Sequence, residues 1–344
     1  MELTNREWKE FVIGKTFDIY STSSGIDKNK LINFEGNIPY ITRTDKHNGY
    51  DMFVGTQVSK YKTDKNNVIT IGLDTQTIFY QKSFFYTGQN IQILDFKELN
   101  KYNALFLIPL LKKQMTKFNW GGNGATLTRL KKTKILLPVN SKGEPDYAFM
   151  ESYMRQKETE LLKQYEKQVS EFENVVPLSE KEWKDFLLTE LFDFVKGDQS
   201  DMASLKAGII PLVSAKKIDN GYKSFVAQTK KLYKGNCLTL NNDGDGGAGI
   251  SYYQPADYLL DTHVTALYSK QNLNKYALLY ISRCITAQRA KFGNNYSINN
   301  KRIKVFRLVL PTNKIGKPDF VYMENFMKAL EREKIKQYLE YKKM

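Results

Sequence analysis

Two windows of the chain carry dense positive charge and no acid. Lys112 to Lys134 holds Lys112, Lys113, Lys117, Arg129, Lys131, Lys132 and Lys134, and Arg283 to Arg307 holds Arg283, Arg289, Lys291, Lys301, Arg302, Lys304 and Arg307. A merely solvated face mixes both signs, so single-sign blocks in a chain of net charge +15 point to a polyanionic partner. Each window also contains a loop of Gly, Asn and aromatic residues: Lys117-Phe118-Asn119-Trp120-Gly121-Gly122-Asn123-Gly124 in one, and Lys291-Phe292-Gly293-Asn294-Asn295-Tyr296 in the other. Cationic side chains donate to phosphate oxygens, while adaptable polar loops reach base edges. Arg129, Lys131, Arg302 and Lys304 are therefore the phosphate candidates. Trp120, Asn123, Asn294 and Tyr296 are the loop candidates.

Other chemistries find little support. His47 and His263 are the only histidines, which removes most hydrolase and metal constellations. Pro145-Asp146 followed by Glu182-Trp183-Lys184 resembles a metal-dependent nuclease pattern, but Pro-Asp also suits a helix start and the Trp suits a core. Asn242 to Gly249 is glycine-rich, yet it lacks the Lys-Ser/Thr of a phosphate-binding loop and the closing Glu of a calcium loop, so it reads as a tight connection between strands. No cofactor or metal is expected. Cys237 and Cys284 are too few for a disulfide framework, and the N-terminus shows no apolar signal core, so a cytoplasmic protein is expected. No run approaches the roughly 18 apolar residues of a membrane span.

The elements that must position the basic windows occur twice, in the same order. Trp8-Lys9-Glu10-Phe11 is answered by Trp183-Lys184-Asp185-Phe186, whose tryptophans read as core anchors. Ile38 to Tyr50 is answered by Ile210 to Tyr222, each a strand running through a polar loop into an Asn-Gly turn. The polar residues before the turn differ between copies while the frame is kept, which singles out Arg43 and Lys46, and Lys216 and Lys217, for readout of two different targets. Val68–Leu73 and Cys237–Asn241 read as strands, and the segments opening at Asn100 and Asn274 as amphipathic helices. Strands then end at Pro138 and Pro311.

The clearest repeat closes each half. Gly143-Glu144-Pro145-Asp146-Tyr147-Ala148-Phe149-Met150 returns as Gly316-Lys317-Pro318-Asp319-Phe320-Val321-Tyr322-Met323. Apolar residues then recur at three-four spacing: Tyr147, Met150, Met154, Leu161, Tyr165, Val169 and Phe172, and Phe320, Met323, Met327, Leu330, Ile335, Tyr338 and Tyr341. The spacing predicts two helices packed on one another, each about 40 Å long for ~27 residues. The expected fold is α+β, with two mixed α/β domains at 1–146 and 176–319 separated by helices at 147–175 and 320–344.

This ordered duplication resembles the specificity subunits of type I restriction–modification systems, and the similar subunit of multisubunit type II systems. The resemblance spans nearly the whole chain and lies in the order of the repeats. It implies two target recognition domains that read the halves of a split sequence in double-stranded DNA, with the long helices forming an antiparallel coiled-coil spacer. It further implies partner methyltransferase subunits, two in number, and restriction or translocase subunits, with no catalytic residue in this chain. Competing readings are a self-sufficient nuclease, an interaction protein that occupies methylation subunits without reading DNA, and an RNA-binding protein.

Overall fold

The computed structural model describes residues 2–118, 124–170, 175–243, 247–292 and 296–343. Trp120, Asn123, Phe172 and Asn294 lie outside them, as does part of the glycine-rich loop. The chain divides into two compact units, residues 1–163 and 164–344.

In the first unit, strand β1 (Trp8–Val12) leads through the single turn α1 (Ile13–Thr16) to β2 (Asp18–Ser21). Strands β3 (Ile38–Ile41), β4 (Tyr50–Val54), β5 (Val68–Gly72), β6 (Ile78–Gln81), β7 (Tyr86–Thr87) and β8 (Ile91–Asp95) follow. Helices α2 (Lys101–Met115) and α3 (Leu127–Lys132) then precede β9 (Lys134–Pro138) and the long helix α4 (Tyr147–Ser170). A four-stranded sheet has the order β2-β8-β5-β6, a three-stranded sheet the order β4-β3-β7, and β1 pairs with β9. The buried run Val-Ile-Thr-Ile-Gly of β5 occupies the centre of the larger sheet, and β8 beside it is buried from Ile91 to Leu94. Helix α2 covers one face through Ala104, Phe106, Leu107, Leu111 and Met115.

The second unit repeats this plan strand for strand. Its elements are β10 (Trp183–Leu187), α5 (Leu188–Leu191), β11 (Phe192–Lys196), β12 (Ala207–Val213), β13 (Tyr222–Val226), β14 (Cys237–Asn241), β15 (Ser251–Gln254), β16 (Leu259–Leu260) and β17 (Val264–Ser269). Helices α6 (Lys275–Ala287) and α7 (Asn300–Lys304), β18 (Arg307–Pro311) and helix α8 (Phe320–Lys343) complete it. The sheet orders β11-β17-β14-β15 and β13-β12-β16 and the β10–β18 pair match those of the first unit. Asn100 and Asn274 start their helices alike, each side-chain oxygen accepting from two backbone N–H groups of the first turn.

The repeated Gly-x-Pro-Asp stretch is a turn followed by a cap. Gly143 (φ +77°) and Gly316 (φ +70°) take the left-handed conformation that favours glycine, closing turns back to Asn140 and Asn313. Asp146 Oδ1 accepts from Phe149 N (2.9 Å), and Asp319 Oδ1 from Tyr322 N (3.0 Å). The other carboxylate oxygens pair with Arg6 at 2.6 Å and Lys181 at 2.8 Å.

Two expectations need correction. The tryptophans are not both core anchors. Trp8 lies over the core margin, stacked on Phe106 with ring centroids 6.3 Å apart, while Trp183 is 39% exposed. Each indole N–H donates to a nearby chain carbonyl, Leu3 or Leu178, which holds it at the rim. The apolar stripe is also not one continuous helix–helix seam. Met150 and Met323 are fully buried, but in the cores of their own units, with Tyr147, Met154, Phe320 and Met327 packed beside them. Farther along, Leu161, Leu330, Tyr338 and Tyr341 are exposed, and Tyr165 meets Tyr338 edge to face at 6.0 Å. Among the described residues no helix is long and apolar enough to cross a membrane.

Candidate nucleic-acid interface

In each unit the loop before the short basic helix is tied to the exit of the central strand. Ala125 N donates to Leu73 O (3.0 Å), just beyond β5, and Ile298 N donates to Asn242 O (2.7 Å), just beyond β14. These bonds bring α3 and α7 to the strand ends that the hairpin residues Arg43 and Lys216 also reach, Arg43 beside Gly72 and Lys216 through its carbonyl, which accepts from Asn241 Nδ2. Asn48 and Asn220, both at positive φ, donate their side-chain amides to Tyr80 O and Tyr253 O and so fasten those hairpins to the sheet (2.9 Å each).

In the first unit Arg43 therefore stands beside the basic loop. Its guanidinium pairs with Asp74, and a Cβ on Gly124 would lie 3.6 Å from the same carboxylate. Arg129 Nη1 donates to Gly124 O (3.0 Å), which orients an exposed side chain on α3. Lys131 packs its stem over Gly14 of α1, where even a methyl group would clash. Lys46 is exposed in the hairpin loop.

The second unit places its candidates differently. Lys216 pairs with Asp219 (2.8 Å) and donates to Tyr222 O (3.0 Å), so it braces its own hairpin, while Lys217 beside it is exposed. Arg302 Nη1 donates to Ser297 O, the counterpart of the Arg129 bond, and its guanidinium lies 3.7 Å from the Tyr296 ring centroid. Tyr296 stacks on Phe292, and Phe292 on Phe306 at 5.5 Å, forming an aromatic ladder capped by a cation. Lys291, Arg302 and Arg307 share a cleft of about 520 Å³ with these rings. Lys304 is exposed on α7.

Sequence reasoning missed Asp74, Asp243 and His263. Asp243 Oδ1 lies 2.8 Å from His263 Nδ1, and this hydrogen bond raises the imidazole pKa above its ordinary value of 6.5. The signal was present, since an Asp follows the central strand in both copies, as Gly72-Leu73-Asp74 and Asn241-Asn242-Asp243. The cysteines offer no reactive thiolate, because burial pushes both Cys237 and Cys284 up to about 11. Among the described residues no group of three or more His, Cys, Asp and Glu could hold a metal ion.

Comparison with known proteins bears on these paired surfaces. The family described as "Type I restriction modification DNA specificity domain" matches residues 5–171 and 180–341. The specificity subunit of the type II restriction enzyme BgcI from Heyndrickxia coagulans is 30% identical over 331 residues, covering 94% of this chain and 95% of that one. Among solved structures, the S subunit of a type I restriction–modification system from M. genitalium aligns over 99% of this chain and 94% of its own, at 15% identity and a TM-score of 0.44. The HsdS subunit from Thermoanaerobacter tengcongensis aligns over 97% and 90%, at 15% identity and a TM-score of 0.33.

Proposed function

The chain belongs to the type I restriction–modification DNA specificity domain family, and from that premise we propose that it reads a bipartite sequence in double-stranded DNA for partner subunits that methylate and cleave. It is a specificity subunit with two recognition domains, a recognition component and not a catalyst. The observation that carries the DNA-reading assignment is the duplicated basic face. Arg129 and Arg302 are oriented by equivalent carbonyl bonds on equivalent short helices, each tied to the same point of its own sheet. Phosphate contacts from Arg129, Lys131, Arg302 and Lys304 position the protein, and Arg43, Lys46, Lys216 and Lys217 lie on the hairpins that read sequence. Trp120, Asn123, Asn294 and Tyr296 join them from the basic loops.

In this reading, residues 1–146 and 176–319 are the target recognition domains, and 147–175 and 320–344 the spacers. Beyond the first turns, which are buried in their own units, α4 and α8 form an antiparallel coiled coil that spaces the domains and docks two methyltransferase subunits. Their 24 residues each correspond to about 36 Å, comparable with the ~34–36 Å of one DNA turn. The Tyr165–Tyr338 contact supports the pairing. Restriction or translocase subunits complete an assembly working in the cytoplasm.

The nuclease alternative weakens because Asp146 is already occupied as a helix cap and ion-pair partner, and Asp319 repeats both jobs. Incubating the purified chain with duplex DNA and magnesium should give a retarded but uncut complex. Cleavage abolished by Asp146→Asn with folding retained would establish the nuclease instead. Co-purification with a methyltransferase without sequence-dependent DNA binding would establish an interaction protein.

A further inference from the structure

The two units carry the same carboxylate at the same point of the same sheet but give it different partners. Leu73 N donates to Asn90 O (3.0 Å) in the first unit, and Asn242 N to His263 O (2.9 Å) in the second. Asp74 and Asp243 come next in sequence and are thus equivalent. Asp74 holds the guanidinium of Arg43. The residue matching Arg43 in the second hairpin is Ala215, which has no polar side chain, and Asp243 instead holds His263, which stands where the first unit has Asn90.

We propose that His263, oriented by Asp243, reads a base edge in the second half of the DNA target, the part that Arg43, oriented by Asp74, plays in the first. The inference rests on the DNA-recognition reading above and assigns a specificity-determining residue to it. With Nδ1 engaged by Asp243, the ring is fixed and Nε2 is directed away from the carboxylate, without a protein partner among the described residues. The side chains of His263 and Asp243 are 60% and 41% exposed. Both line two clefts, of about 610 and 630 Å³, so they stand between them. Lys196 and Lys301 line one cleft, and Lys216 and Lys223 the other, with Asp261 beside His263 in the second.

This distribution decides between a base and a phosphate as the partner of His263. Lys196, Lys223 and Lys301 supply cations to flanking phosphates, whereas Asp243 and Asp261 beside the imidazole repel a phosphate. The carboxylates favour the imidazolium against the opposing effects of burial and Lys196, which makes Nε2–H a donor. A donor in a groove suits the neutral acceptors of a purine edge, such as guanine N7 and O6.

The test uses the full chain and its His263→Ala, His263→Gln and Asp243→Asn variants, each co-expressed with the methyltransferase of its own system, with methylated bases mapped on genomic DNA. His263→Ala should relax one position in one of the two sequence blocks, with roughly tenfold loss of discrimination there, and leave the other block intact. Duplex binding by the purified complexes should lose that discrimination as pH rises through the pKa of His263, and Asp243→Asn should move the loss to lower pH. Melting curves matching the parent's verify folding of these exposed-site variants. An unchanged motif in all variants, or a uniform loss over all sequences with a flatter salt dependence, would overturn the assignment. A parent complex that yields no two-block motif would instead bring down the recognition reading itself, and this inference with it.

Discussion

A chain with glutamate in place of both Arg129 and Arg302 binds duplex DNA roughly a hundredfold more weakly than the parent at moderate salt, and its log–log salt slope is shallower by about two. Each arginine, held by a backbone carbonyl at the preceding loop, is presented with little rotamer freedom left to lose. Its removal takes away one released counterion per unit, and the new carboxylate adds repulsion. The loss should be similar for cognate and unrelated duplexes, because phosphate contacts carry no sequence information. Titrations at several salt concentrations measure both quantities, and thermal melts check folding. Unchanged affinity across the salt series would remove α3 and α7 from the interface.

The second large effect concerns stability. Met150→Ala and Met323→Ala should each cost about 2–5 kcal/mol, because both side chains are fully buried and truncation leaves a cavity as well as losing contacts. Met150 belongs to the core of the first unit and Met323 to that of the second, so each substitution should lower the melting of its own unit first. Leu161→Ala and Leu330→Ala, at residues 42% and 38% exposed, should cost less than about 1 kcal/mol. Denaturant unfolding of the four variants tests this ordering. Equal losses would mean that the apolar stripe works as one uniform seam, contrary to the split seen here between a buried first turn and exposed later positions.

The duplication, the central strands and the helix starts could be read in the sequence because each leaves a local mark. Val68–Gly72 and Cys237–Asn241 are short apolar runs with turn residues around them, and Asn100, Asn274, Asp146 and Asp319 are caps whose partners lie within three residues. Long-range pairings leave no such mark. The β1–β9 and β10–β18 pairs join the two ends of each unit, and no periodicity within either strand announces its partner. The readout candidates show the same limit. Lys216 and Lys217 are adjacent and chemically alike, but only the fold shows Lys216 bracing its hairpin through Asp219 and Tyr222. The pairing of Asp243 with His263 crosses from one strand end to the start of another, so a lone histidine gave no hint of its carboxylate. The three-four stripe is a genuine helical pattern, yet spacing alone does not say whether a helix buries its apolar face against another helix or against its own domain.

Two repeated domains that each read one half of a DNA site should leave their geometry in the recognised sequence. The most direct measurement is to co-express the chain with the methyltransferase of its own system in a host lacking other modification and to map methylated bases by long-read sequencing. Two short sequence blocks separated by a gap of fixed length are the expected result. A single continuous motif, or no methylation dependent on this chain, would contradict the account.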